Sequence, residues 1–252
     1  GIDTIIPQFL NVPPASFNGG QPTFSRDGKK FVYADFWGNF GNVSHDVRLF
    51  DFDRCSGLFS NEKIIDITDS IPGFGLAFSP NSKYLYAASF QRIYQLNTDT
   101  SDIAASKTTV AINDGNYSPV PPLQTDFWYM YLAANGKIYI SSGSGVIDLH
   151  YINYPDSAGM ACDVHLHDLH LPCWSGRGNV NHPNYYLGCD TTQTTCPCLI
   201  TGINDVKQHD FKFSISPNPS NGNFKIIYLL PQNKSGTLQI FDINGKQIYK
   251  QN

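Results

Sequence analysis

Three stretches of the chain share one order of apolar and polar positions: TFSRDGKKFVYAD from Thr23, AFSPNSKYLYAAS from Ala77 and YLAANGKIYISSG from Tyr131. Each runs an apolar segment into a polar pair, a lysine and an aromatic-rich segment, and their starts lie 54 residues apart and again 54 apart. The pairs Asp27-Gly28, Asn81-Ser82 and Asn135-Gly136 fall at the same place in each unit. Asp-Gly and Asn-Gly tolerate positive φ and favour tight turns, so each unit predicts a β-hairpin. Further strands are predicted from Val47 and Lys63 in the first unit, from Arg92 and Thr108 in the second and from Val146 in the third. Four strands in such a period make one propeller blade. A β-sandwich also uses many short strands but has no reason to keep a constant spacing. The fold class predicted is all-β, an incomplete β-propeller over 1–187 with about three four-stranded blades at 18–71, 72–125 and 126–179. Closed rings have typically about four to eight blades, which predicts more blades upstream of Gly1.

The periodic pattern stops near Asn179. GCDTTQTTCPCLITGINDV from Gly188 is rich in Thr, Cys and Pro and has no apolar period, so 188–209 reads as a linker. The remainder, 210–252, begins with two prolines, Pro217 and Pro219, that hold the chain extended and remove ladder donors. Phe224–Leu230 then predicts a buried strand, and Asn244-Gly245 a hairpin turn between LQIFDI and KQIYK. Four strands at most are present there, too few for a robust sandwich.

Composition narrows the function classes. Charged residues make up 15% and aromatic residues 13%, against roughly 25% charged in an average soluble domain. The net charge is −4 and no Lys/Arg cluster occurs, which removes the electrostatic footprint of a nucleic-acid binder. No apolar run approaches the roughly 18 residues of a transmembrane helix. Six cysteines, at 55, 162, 173, 189, 196 and 198, suit disulfides in an oxidising compartment.

Candidate chemistry is sparse. CDVHLHDLHLPCW brings His165, His167, Cys162 and Cys173 together as donors of the type zinc prefers. Strand alternation instead puts Asp163, His165 and His167 on one solvated face, and a Cys162–Cys173 disulfide or packed free thiols is the preferred reading. In ADFWGNFGN, Phe36, Trp37 and Phe40 are interrupted by Gly and Asn, which predicts a loop able to contact a glycan or a protein. QTDFWYMY from Gln124 predicts the buried first strand of the third blade. SSGSG at Ser141 lacks a nucleophile-elbow context, and Asp51, Asp53 and Asp66 read as turn formers rather than paired catalytic acids. No cofactor is expected. The function predicted is a binding scaffold rather than an enzyme; the alternative is a hydrolase of polysaccharide or peptide whose catalytic residues lie in further blades.

Two resemblances add to this. LAANGKIYISSGSG, YINYPDSAGMACDV, LHLPCW and NHPNYYLG, in that order, resemble the last propeller blades of exported Bacteroidota proteins. SPNPSNGNFKIIYLLPQNKSGTLQIFDINGKQIYKQN resembles the type A C-terminal sorting domain of the type IX secretion system. That likeness is carried by Pro217, Asn218, Pro219, Gly222, Asp242, Asn244, Gly245 and Lys246. It implies a small β-sandwich, partial here because 210–252 ends before the family's last strands. It also implies the type IX secretion machinery as a partner and a secreted or outer-membrane cell-surface location.

Overall fold

The computed structural model describes residues 8, 20–39, 42–67, 73, 75–119, 122–176, 184, 187–188, 212–217, 221–230, 233, 235–242 and 245–251, with backbone alone at 35–39, 42–44 and 212–213. Two compact units are present, Gly1–Cys196 and Pro197–Asn252.

In the first unit, β1 (Thr23–Phe24), β2 (Lys30–Asn39), β3 (Asn42–Asp53) and β4 (Leu58–Asp66) form one sheet. A second is built of β5 (Leu76–Phe78), β6 (Tyr84–Ala88), β7 (Arg92–Asn97) and β8 (Thr108–Ile112). The third comprises β9 (Met130–Leu132), β10 (Ile138–Ile140), β11 (Val146–Ile152) and β12 (Val164–Ser175). All three are four-stranded antiparallel meanders with strands in chain order. The described residues contain no α-helix, only short 3-10 turns at Ala104–Ser106 and Gly159–Cys162.

The repeated turn has a local cause. Gly28, Ser82 and Gly136 take φ of 69°, 62° and 81°. The preceding Asp or Asn stabilises that bend: Asp27 Oδ1 accepts from Lys29 N at 3.1 Å, Asn81 Oδ1 from Lys83 N at 3.0 Å and Asn135 Oδ1 from Lys137 N at 3.1 Å. These are side-chain turns that favour Asx residues over all others at this place.

Strand alternation then stacks the sheets. Every residue of β6 is buried. Leu85 and Ala87 pack with Val32, Val47, Leu49 and Ile65 of the first sheet. Tyr84, Tyr86 and Ala88, on the opposite face, pack with Phe127, Met130, Ile138 and Ile152 of the third unit. A period of two thus lets the middle sheet be covered on both sides, the arrangement of successive propeller blades. Between the second and third sheets the backbones approach closely: a Cβ on Gly75 would lie 2.1 Å from the Trp128 carbonyl oxygen. The outer face of the first sheet is an aromatic cluster, with Phe24, Phe31, Phe52 and Phe59 rings 4.8–6.4 Å apart.

Two expectations about aromatic stretches change. Phe36 and Trp37 are not in a loop: β2 continues to Asn39, with Phe36 opposite His45 and Trp37 opposite Ser44. An aromatic, β-favouring run prolonged the β2–β3 ladder through the glycine. Phe40 lies outside the described residues. In QTDFWYMY, Phe127, Trp128 and Met130 are buried as expected, but the strand is confined to Met130–Leu132.

The second unit contains β13 (Lys212–Ser216) paired with β14 (Lys225–Leu229), and β15 (Leu238–Phe241) paired with β16 (Gln247–Gln251). β14 is not the buried strand that Phe224–Leu230 predicts: Ile227 and Leu229 are each 52% exposed. A two-stranded ribbon supplies no second layer to cover them.

Candidate functional site

The inner edges of the three sheets converge on Gln21, just ahead of β1. Its Oε1 accepts from Met130 N at 3.0 Å and Leu76 N at 3.4 Å, while its Nε2 donates to the Met130 carbonyl at 2.6 Å. One carboxamide therefore binds the inner edges of β5 and β9 together. Around it lies a solvent-open cleft walled by Phe24, Leu76, Phe78, Met130, Leu132 and Ala134 among others. Asn184 also borders it and donates through Nδ2 to the Arg26 carbonyl at 2.6 Å. A concave, mostly apolar space with a few convergent polar groups is the geometry of a ligand site. Sequence reading missed it, because its walls are brought together from units 54 residues apart; the signal present was Gln21, a polar residue just before a short apolar strand.

The histidine-rich strand does not assemble one ligand set. Among the described residues no group of three His, Cys, Asp or Glu is placed to hold a metal ion. Irregular register between β11 and β12, with His167 at φ 41°, breaks the alternation that puts His165 and His167 on one face. His165 stacks on Tyr151, centroids 4.5 Å apart and planes within 9°, between Asp163 Oδ2 at 3.1 Å and Asp168 Oδ2 at 3.0 Å. The Asp163 hydrogen bond, first, raises the His165 pKa above its ordinary value. His167 instead reaches Asp114 Oδ2 at 2.9 Å and donates its backbone N–H to His150 Nδ1 at 2.8 Å. His150, next to Tyr151 and hence on the opposite face of β11, is 1% exposed with its ring edge against Phe127. Burial, followed by the neighbouring His167 charge, pushes its pKa down to about 4. His170 pairs with Asp148 at 2.9 Å.

Of the two alternatives for Cys162 and Cys173, free thiols are found, and only Cys162 is packed. β12 runs between them at roughly 3.3 Å per residue, which carries them far beyond the roughly 7 Å Cα separation a disulfide tolerates. Burial raises the Cys162 pKa, which keeps the sulfur a thiol rather than a ligating thiolate. Asp53 is a turn former as expected, its Oδ1 accepting from Cys55 N at 2.8 Å.

In the second unit, Pro217, Gly222, Asp242, Gly245 and Lys246 fall on described positions; Asn218, Pro219 and Asn244 do not. Gly222 and Gly245 have φ of 97° and 80°. Asp242 closes the β15–β16 hairpin by accepting from Lys246 N at 2.9 Å through Oδ1, and its carbonyl accepts from Gly245 N at 3.0 Å. The conformational freedom of glycine and the acceptor capacity of aspartate explain these two motif positions.

Residues 214–252 match the family described as the secretion system C-terminal sorting domain. This type IX sorting tail makes the chain a secreted or cell-surface protein. No described helix is long and apolar enough to cross a membrane. No curated protein matches the chain. A solved structure, the holo form of the pyranose dehydrogenase PQQ domain from Coprinopsis cinerea, is similar over 57% of this chain at 12% identity and a TM-score of 0.37. The similarity spans 35% of that domain's chain.

Proposed function

We propose that this protein is a propeller-type binding scaffold, carried through the type IX machinery of a Bacteroidota outer membrane, that takes a glycan or protein ligand into the cleft between β1, β5 and β9. The supporting observation is the convergence of three inner edge strands on Gln21, which leaves a solvent-open cleft. In this reading 1–187 is the scaffold, 188–209 the linker and 210–252 the address. Phe36 and Trp37, whose backbone lies in β2, are with Phe40 the outlying ligand contact of this proposal.

Arrays of immobilised glycans and peptides, probed with the full chain and with Ala134→Trp, test the cleft. Ala134 is exposed at its rim, so the indole obstructs the opening without entering the core. Loss of binding in the variant is the expected result; undiminished binding refutes the cleft as the site. Export is tested separately by fusing 210–252 to a reporter in a type IX-competent bacterium, where retention in the periplasm refutes the proposed address.

A further inference from the structure

We infer that the cleft receives an extended peptide segment through its main chain. This rests on the cleft being the ligand site proposed above and adds the class of ligand. The inference follows from which backbone groups point into it. In β5–β6, Ser79 N donates to the Tyr84 carbonyl and Ala88 N to the Gly75 carbonyl. Alternation along an antiparallel ladder then turns the N–H and C=O groups of the intervening Leu76 and Phe78 away from β6, toward the free edge. In β9–β10, Ala133 N donates to the Lys137 carbonyl and Ser141 N to the Tyr129 carbonyl. Met130 and Leu132 accordingly present their N–H and C=O groups at the free edge.

The four residues have different fates. Leu76 N, Met130 N and Met130 O are occupied by the Gln21 carboxamide. Phe78 and Leu132, two residues further along the same edges, have no such partner among the described residues. All four line the cleft. A carboxamide is chemically a peptide group, with one carbonyl acceptor and N–H donors. Gln21 therefore shows, within the protein itself, how a guest amide sits between β5 and β9, and the next register positions offer the same donors and acceptors with no partner among the described residues. The protein uses the same device at its outer rim, where the Gln8 side chain donates to the Phe59 carbonyl at 2.7 Å and accepts from Phe59 N at 2.9 Å on edge strand β4. An edge with unpaired main-chain groups is a template for strand addition.

The test uses the full chain labelled with 15N and three probes: blocked pentaalanine, the same peptide N-methylated at alternate residues, and chitotriose. Blocked pentaalanine is expected to shift the Phe78 and Leu132 amide resonances and slow their exchange with solvent. The alternately N-methylated peptide, which loses the pairing donors, is expected to bind about tenfold more weakly. Equal binding of the two peptides overturns main-chain pairing. If chitotriose moves these amides and pentaalanine does not, the peptide assignment falls while the cleft stands as a ligand site. If no probe perturbs them, both fall.

Discussion

Acid is expected to destabilise the first unit through His150. The ring is 1% exposed, Nδ1 accepts from His167 N at 2.8 Å, and Nε2 makes no hydrogen bond of normal geometry. Protonation therefore costs both solvation and the Nδ1 hydrogen bond. In the unfolded chain the imidazole titrates near 6.5, whereas burial and then the His167 charge hold it near 4 in the fold. The unfolded state binds more protons between those values, so stability falls as pH is lowered from 6.5 toward 4. A difference of that size corresponds to roughly 3 kcal/mol, or about 6–12 °C in Tm for a unit of this length. His150→Asn places an amide oxygen where Nδ1 accepts but removes the titration. Asp114 and Asp163, whose carboxyls are held below 3.8 mainly by hydrogen bonds from His167 and Asn153 respectively, lose their contributions at still lower pH. Thermal and urea melts of wild type and variant across this range isolate the His150 contribution. Equal losses of stability in both proteins between pH 6.5 and 4 would refute the reasoning.

Three further outcomes follow from the same packing. Gly75→Ala drives a Cβ to 2.1 Å from the Trp128 carbonyl, a backbone atom that cannot rotate away. It is expected to cost about 3 kcal/mol, while Gly145→Ala, with nothing within 4 Å, leaves the urea midpoint unchanged or slightly raised. Tyr86→Phe removes the hydroxyl that donates to the Pro155 carbonyl at 2.8 Å and accepts from Gln95 Nε2 at 2.6 Å; a loss of about 1–3 kcal/mol is expected from the buried carbonyl left unpaired, and a melt matching wild type contradicts it. His165 has its pKa raised by the Asp163 hydrogen bond. Its contribution is therefore present below 6.5 and lost as pH rises through the raised value. An imidazole NMR titration with a midpoint at or below 6.5 counts against that ion pair, and His165→Gln is expected to flatten the alkaline side of the stability profile.

Local patterns were legible where a single turn or strand decides them. The Asx-Gly and Asn-Ser pairs announced three hairpins because a left-handed backbone and a side-chain acceptor are properties of two adjacent residues. The sorting tail was legible for the same reason: Gly222, Asp242 and Gly245 serve turns within their own hairpins. Phe36 and Trp37 were misread because Gly38 suggested a break, whereas pairing with β3 continued through it. The paired histidines were misread because perfect alternation was assumed, and a register shift at β11–β12 separated them.

What the amino-acid order determined by itself is therefore the all-β class, the 54-residue repeat and the secretion tail, all carried by short-range conformational preference. Tertiary structure alone decided the rest. It buried β6 on two faces, set His150 against Phe127 and left Cys162 apart from Cys173. It also joined Gln21 to Leu76 and Met130 across 55 and 109 residues. Burial and edge-strand convergence depend on which sheets stack, and that is a property of distances between units rather than of neighbours along the chain.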